Sequence, residues 1–338
     1  MTTQEISPTD PTLQVLPQLS YRFDIVRRSK LWFTISLVVL VVGLTSMAFS
    51  LASFGTPLRL GLDFSGGTLL DLSFEQPITT EELRQALQEH NLASSVIQLD
   101  TNTSQEALIR MPPLSEEERL AVEATIQQKV GPFERNLVET VGPTVGRLLL
   151  RSGILAVLIS FGLIVVYLTL RFQLDYAVFA ILALLHDVVL TMGLFALLGL
   201  TVGMEVDSLF VVALLTIIGF SVNDTVVIYD RIRENRRLIS RKVSFAEVVN
   251  LSLNQTFARS FNTTLTTMLP LIAIAILGGA TLKGFAVALL VGFSLGVYSS
   301  IFIASPLLVW WRQQRSARIV EDVDADGDPD PLPSEAEG

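Results

Sequence analysis

Lipid offers no hydrogen-bonding partner to a bare backbone, so a chain crosses it as a helix whose apolar stretch runs to about 20 residues. Six stretches of that kind occur here, at residues 31–51, 148–170, 176–200, 209–229, 261–277 and 285–310. Half of the residues are hydrophobic and only 17% are charged, which points the same way. The sequence therefore predicts an α-helical polytopic membrane protein with six transmembrane helices. Basic residues precede the first stretch as they would in a signal peptide. Its apolar run is too long for a cleaved segment, however, and reads as a retained anchor.

Lys and Arg gather on the cytoplasmic side of membrane helices. Arg22, Arg27, Arg28 and Lys30 precede the first stretch, and Arg312, Arg315 and Arg318 follow the sixth. Arg231, Arg233, Arg236, Arg237, Arg241 and Lys242 fill the connection between the fourth and fifth. If every stretch crosses, these clusters share one side, and Lys283 is the exception near an outer turn. The expected organisation is a cytoplasmic leader at 1–30, a membrane helix at 31–54 and a periplasmic domain at 55–146. Helices two to six follow at 147–311, with a basic cytoplasmic loop at 230–258 and a cytoplasmic tail at 312–338, both termini inside. The acidic tail has nothing apolar to bury and is expected to be disordered. In the basic loop Phe245, Val248, Val249, Leu251, Leu253 and Phe257 make an apolar face suited to lying at the membrane interface.

Between 55 and 146 the pattern shortens. Residues 58–74 read as a strand around a Gly-Gly turn, and 79–91 as an amphipathic helix with Thr79 and Glu82 at capping-box spacing. Short strands at 95–99 and 107–111, a second helix at 115–130 opened by Ser115 and Glu118, and a closing strand at 133–141 complete the segment. The order β, α, β, β, α, β is that of a small α+β ferredoxin-like domain. The net charge of -9 comes largely from this domain and the tail, and neither suggests a nucleic-acid partner. With no cysteine and only His90 and His186 as histidines, disulfides, thiol chemistry and a His-rich metal site are excluded, and no cofactor is expected.

Asp224 stands in the fourth stretch beside Asn223, six residues before Asp230 marks the exit. A carboxylate in lipid is costly and is usually retained for function, the alternative being a structural hydrogen bond between helices. Arg259 opens the fifth stretch, at a depth where an antiparallel neighbour could meet Asp224, although an arginine at a helix end also snorkels to the interface. Burial and a cation would then compete over one proton. Beyond it, Asn262, Thr263, Thr264, Thr266 and Thr267 could line a hydrated path. His186 and Asp187 are the deepest ionisable pair. They point about 100° apart on a helix, so at most one is expected to face the same cavity as Asp224. A helix-to-helix hydrogen bond or a mutual neutral network competes with a role in proton passage. In GLDFSGGT, formed by Gly61, Asp63, Phe64, Gly66, Gly67 and Thr68, the glycines allow a positive-φ turn that Asp63 could cap, so structure is favoured over catalysis. Gly278, Gly279, Gly284 and Gly292 read as close-packing helix contacts.

Five motifs now stand in order: GLDFSGGT, LLHDVV in the third stretch, SVNDTVVIYDRIREN in the fourth, LNQTFARSFNTTLTT into the fifth and GGATLKGFAVALLVGFSLGVYSSIFIASPLL through the sixth. Together they resemble the SecF family, accessory subunits of the bacterial Sec translocase and relatives of the resistance-nodulation-division transporters. The resemblance covers nearly everything from the first stretch to Leu308. It implies a non-enzymatic subunit of the bacterial inner (plasma) membrane that pairs with SecD and assists the SecYEG channel and the SecA motor. YajC and YidC are further candidate partners. It implies that the proton gradient drives the periplasmic domain against a translocating polypeptide, with Asp224 and Arg259 as the proton-pathway pair and a further carboxylate from SecD. His186, Asp187 and the GLDFSGGT residues match family motifs as well. A non-conducting scaffold and a small-molecule exporter of the wider superfamily are the competing readings.

Overall fold

The structure, a computed structural model, describes residues 23–100, 103–239 and 243–326. Arg22, Arg241, Lys242 and the end of the acidic tail at 327–338 lie outside the described residues. Helix α1 (Ser29–Phe54) leads through a short helix α2 (Leu62–Ser65) into an α+β domain. That domain comprises β1 (Gly67–Phe74), α3 (Thr80–Gln88), β2 (Val96–Leu99), β3 (Glu106–Met111), α4 (Glu116–Lys129) and β4 (Phe133–Val141). Then come α5 (Pro143–Arg171), α6 (Leu174–Thr201), α7 (Ser208–Leu238) and α8 (Phe245–Leu277). A last long helix is built from α9 (Ala280–Ser299), a π-helical turn (Ser300–Ala304) and α10 (Ser305–Asp326). Counting that composite as one, six helices among the described residues are long and apolar enough to cross a membrane.

The sheet order is β2-β3-β1-β4, with every pairing antiparallel, which is the expected ferredoxin-like arrangement. Alternate residues Leu70, Leu72 and Phe74 of β1 and Ala107, Ile109 and Met111 of β3 turn one face to α3 and α4. Leu83, Leu87, Val122 and Ile126 close that core. Thr79 and Ser115 each form a complete capping box with Glu82 and Glu118. The opposite face, with Leu69, Asp71, Leu108 and Arg110, looks onto a cleft of about 520 Å³ bounded by the α6–α7 connection. Residues 58–66, expected as strand, instead contain α2, because the Gly66 and Gly67 turn at φ 71° and 136° delays the strand to Gly67.

In the helical part, α6, α7 and the last composite helix are the buried centre, while α1, α5 and α8 are largely exposed. Helix α1 reaches α6 through two glycines: a Cβ on Gly193 would lie 2.6 Å from the Gly43 Cα. Gly193→Val should therefore push α1 off α6. In this cysteine-free chain the expected result is a reduced yield of a disulfide engineered across that contact.

Several sequence expectations need correcting. The basic loop does not extend over 230–258, since α7 continues to Leu238 and α8 starts at Phe245. Residues 245–257 form no separate interfacial helix but the first part of α8, with Val248, Val249 and Leu253 buried in the core. The cause is visible in α8 itself: Ser244 and Glu247 form a capping box, and the hydroxyls that interrupt the apolar run, Ser252, Thr256, Ser260 and Thr264, are all buried. Residues 312–326, expected to be disordered, are helical in α10. Of the four glycines near the last two spans, only Gly292 packs on a neighbouring helix, where an added Cβ would meet the Ile217 side chain at 2.2 Å. Gly278 abuts the Ile274 carbonyl of its own helix, and Gly279 and Gly284 meet nothing within 4 Å among the described residues.

Candidate functional site

Helix α7 runs unbroken from Ser208, so Asp224 lies about 24 Å along it at 1.5 Å per residue. The carboxylate is 8% exposed. Its Oδ1 accepts a hydrogen bond from Ser260 Oγ of α8 at 2.6 Å. Its Oδ2 is buried and makes no hydrogen bond to any described residue, and neither does the Thr264 hydroxyl one turn further along α8. Thr225, the next residue of α7, sits 2.7 Å from Ser300 in the π-helical turn.

The expected Asp224–Arg259 ion pair is not made: no contact of 4 Å or less joins them. The direct partner is Ser260, the residue that follows Arg259. The Arg259 side chain lies on the exposed face of α8. Asn223, Asn262, Thr263 and Thr266 are exposed as well, whereas Thr264 is buried. Adjacent residues on a helix diverge by about 100°, and Asn223 is exposed where Asp224 is buried.

Asp187 is completely buried. Ser221 Oγ of α7 and Ser299 Oγ of α9 donate to its Oδ2 at 2.7 and 2.6 Å, and His186 Nδ1 lies 3.0 Å from its Oδ1. The other ring nitrogen of His186 hydrogen-bonds Ser36 of α1. His186 and Asp187 thus connect α1, α6, α7 and α9 and bond to each other, and neither contacts Asp224. Sequence reasoning did not single out Ser36, Ser221, Ser260 or Ser299. The available signal was the set of hydroxyls embedded in apolar helices, which rarely stay unpaired there.

The GLDFSGGT residues hold the root of the α+β domain. Asp63 does not cap the Gly-Gly turn as expected. Its Oδ2 accepts from the Ser208 backbone N–H at 2.9 Å and from the Ser208 hydroxyl, at the first turn of α7. The Gly61 N–H donates to the Val206 carbonyl at 2.7 Å, and the Val206 N–H donates to the Arg59 carbonyl at 2.9 Å. Phe64 is buried, and Thr68 Oγ1 accepts from the Leu114 N–H at 3.0 Å. A Cβ on Gly67 would lie 2.7 Å from the Met111 carbonyl oxygen, so only glycine fits.

Asp207 caps α7 by accepting from the Phe210 N–H at 2.9 Å. Burial pushes its carboxyl above the usual carboxylate range, the Phe210 bond pulls it down, and the neighbouring Asp63 charge pushes it up again. With a raised folded-state value, the folded protein binds the proton more tightly than the unfolded chain does. Stability at this junction therefore falls as pH rises from about 4, the ordinary value, through the raised one. Asp207→Asn keeps a good N-cap and should flatten that fall, read as melting temperature against pH.

Set against known proteins, residues 121–314 match the family described as protein export membrane protein SecD/SecF, C-terminal, and residues 51–78 match the SecD/SecF GG motif. The chain is 50% identical over 297 residues to the protein translocase subunit SecF of Synechocystis sp., across 85% of this chain and 93% of that one. It is 40% identical over 270 residues to the protein translocase subunit SecDF of Thermus thermophilus, across 78% of this chain and 36% of that one. A crystal structure of SecDF from the same genus, described as a translocon-associated membrane protein, matches with a TM-score of 0.74 at 37% identity. That match covers 88% of this chain and 39% of that one. The chain thus spans well under half of these SecDF chains. Its SecF relatives and six apolar helices make it a multi-pass membrane protein. A match over more than half of its length and a relative half identical to it place the chain in the SecD/SecF family of protein export membrane proteins, on the SecF branch.

Proposed function

We propose that the chain works in protein export as the smaller partner of a SecD-type subunit, and that proton movement past Asp224 drives the α+β domain on the outer side of a bacterial inner membrane. The observation that carries this reading is the Asp224 carboxylate. One oxygen is fixed by Ser260, the other is buried without a hydrogen bond, and both lie inside a membrane-length helix. An acid kept there at such cost is suited to taking up and giving away a proton. The exposed polar residues Arg259, Asn262, Thr263 and Thr266 in the span support a partner helix on that face, because a polar strip facing lipid is unfavourable. The SecDF relatives, in which both halves form one chain, support a SecD-type subunit as that partner.

The basic residues Arg27, Arg28, Lys30, Arg231, Arg233, Arg236 and Arg312 support a cytoplasmic assignment for the membrane face opposite the α+β domain, with both termini inside. SecYEG, SecA, YajC and YidC remain partners that the family resemblance alone suggests. One proton crossing 100 mV supplies about 2.3 kcal/mol, comparable to the few kcal/mol that separate two domain positions.

A scaffold that conducts no protons is the second reading, favoured by the absence of an Asp224–Arg259 ion pair. Export in vesicles containing the chain and its SecD-type partner discriminates the two. The proton-driven reading expects stimulation by a gradient that an ionophore removes. Equal export with and without the ionophore leaves only the scaffold.

A further inference from the structure

Helix α7 carries Asp224 at mid-length and meets the α+β domain at its first residue. The meeting is a double one. At the first contact, the Asp63 carboxylate takes the Ser208 backbone N–H at 2.9 Å together with the Ser208 hydroxyl. Beside it, Leu60 and Val206 form an isolated parallel bridge. At the second contact, Glu205 pairs through both carboxylate oxygens with the guanidinium of Arg110, which lies on β3 in the body of the sheet. Arg59 adds a further contact to Glu205, its Nε 3.4 Å from Oε1. The three charged side chains are only 20% to 23% exposed, so solvent screens them incompletely.

The surrounding residues keep these contacts in place. Arg59 lies against the last turn of α6 and the connection to α7, where a Cβ on Gly199 would sit 3.2 Å from its Cβ and one on Gly203 would sit 3.2 Å from its Nη1. Its guanidinium also stacks over Phe54, at the end of α1, 5.4 Å from the ring centre. On the other side of the root, a Cβ on Gly146 of α5 would be 2.9 Å from the Phe64 carbonyl oxygen. The root is therefore gripped between the first turns of α5 and α7. A single contact would let the domain pivot, whereas one contact on the first residue of α7 and a second at Glu205, in the connection three residues before it, fix its orientation.

We propose that Asp63 and the Glu205–Arg110 pair act together as the mechanical coupling that passes displacement of α7 to the α+β domain, with Asp63, Glu205 and Arg110 as positioning residues. A shift of α7 against α5 then becomes a tilt of the sheet about the Gly66–Gly67 turn, toward or away from the cleft that separates its open face from residues 202–209. This inference rests on the proton-driven reading of Asp224, because it names the route by which that site reaches the domain.

The test uses the full chain co-reconstituted with its SecD-type partner in vesicles, comparing wild type with Asp63→Asn/Glu205→Gln. Three quantities are read: proton entry by a lumenal pH dye, gradient-stimulated export, and the distance between spin labels at single cysteines placed on α4 and α5. The double variant should keep proton entry at the wild-type level. It should lose the gradient-dependent distance change and about fivefold or more of the stimulation, the low end of ordinary coupling between sites. Glu205→Asp, which retains the charge, should recover part of both, a rescue that a purely structural role would not require.

Full stimulation in the double variant overturns the coupling, as does proton entry that falls in step with export, which would mark the contacts as mere supports of the membrane fold. Should wild type itself show no proton entry, the reading of Asp224 fails and the coupling with it. Normal entry with unchanged export in the variant overturns the coupling alone.

Discussion

In Asp224→Asn, export with a proton gradient should fall to the level seen without one, while the complex with its partner still assembles. The size of the effect follows from what a proton can supply. About 2.3 kcal/mol per 100 mV biases an equilibrium roughly fiftyfold, and an amide that cannot exchange a proton forfeits all of it. The substitution is gentle in every other respect. Asparagine has the same shape, the Ser260 hydroxyl can turn to match it, and removing a buried charge lowers the desolvation cost. A vesicle export assay run with and without an ionophore, alongside co-purification of the partner, reads both halves of the expectation. Undiminished stimulation would rule Asp224 out as the proton carrier.

The second large effect is expected at Asp187, and it is one of stability. Asp187→Ala strands the Ser221 and Ser299 hydroxyls and the His186 ring nitrogen in a fully buried site and leaves a cavity among α6, α7 and α9. Leaving a buried polar group without its partner costs about 1–3 kcal/mol, and the cavity adds to that. The purified complex should lose much of its thermal stability, and the chain should accumulate poorly. Asp187→Asn retains an acceptor for the two hydroxyls and should fall between wild type and alanine. His186→Ala removes the Ser36 bond and the partner of Asp187 Oδ1 but leaves both serine hydroxyls on Oδ2, and should cost less. If alanine at 187 melts as wild type does, the carboxylate is not what joins the helices.

The sequence makes the membrane helices legible because lipid imposes a length and a composition that few other constraints imitate. The β, α, β, β, α, β order is equally legible, since Thr79 with Glu82 and Ser115 with Glu118 mark both helix starts. The beginning of α8 was harder to read. Its buried hydroxyls look solvent-facing in a hydropathy pattern, and only the Ser244–Glu247 box, of the same form as the other two, betrays the true start. Asp224 was legible as costly, but its partner was not. Two adjacent residues, Arg259 and Ser260, offered a cation and a hydroxyl, and helix rotation decides which of them faces α7. The role of Asp63 was out of reach, because its partner Ser208 lies 145 residues away and nothing local advertises the contact.

The π-helical turn at Ser300–Ala304 places one surplus residue in the last span. An α-helix advances about 100° per residue, so that surplus sets the two halves of the span out of phase. The end of the upstream half aims Ser299 at Asp187 and the first residue of the turn aims Ser300 at Thr225, while the downstream half seats Leu308 and Val309, 0% and 1% exposed, in the apolar core on the basic side. A chain shortened by one residue here would have to give up one of those two seatings. Alignments of relatives that open a gap within these five positions would therefore mark molecules whose final span is wound differently about the same bundle.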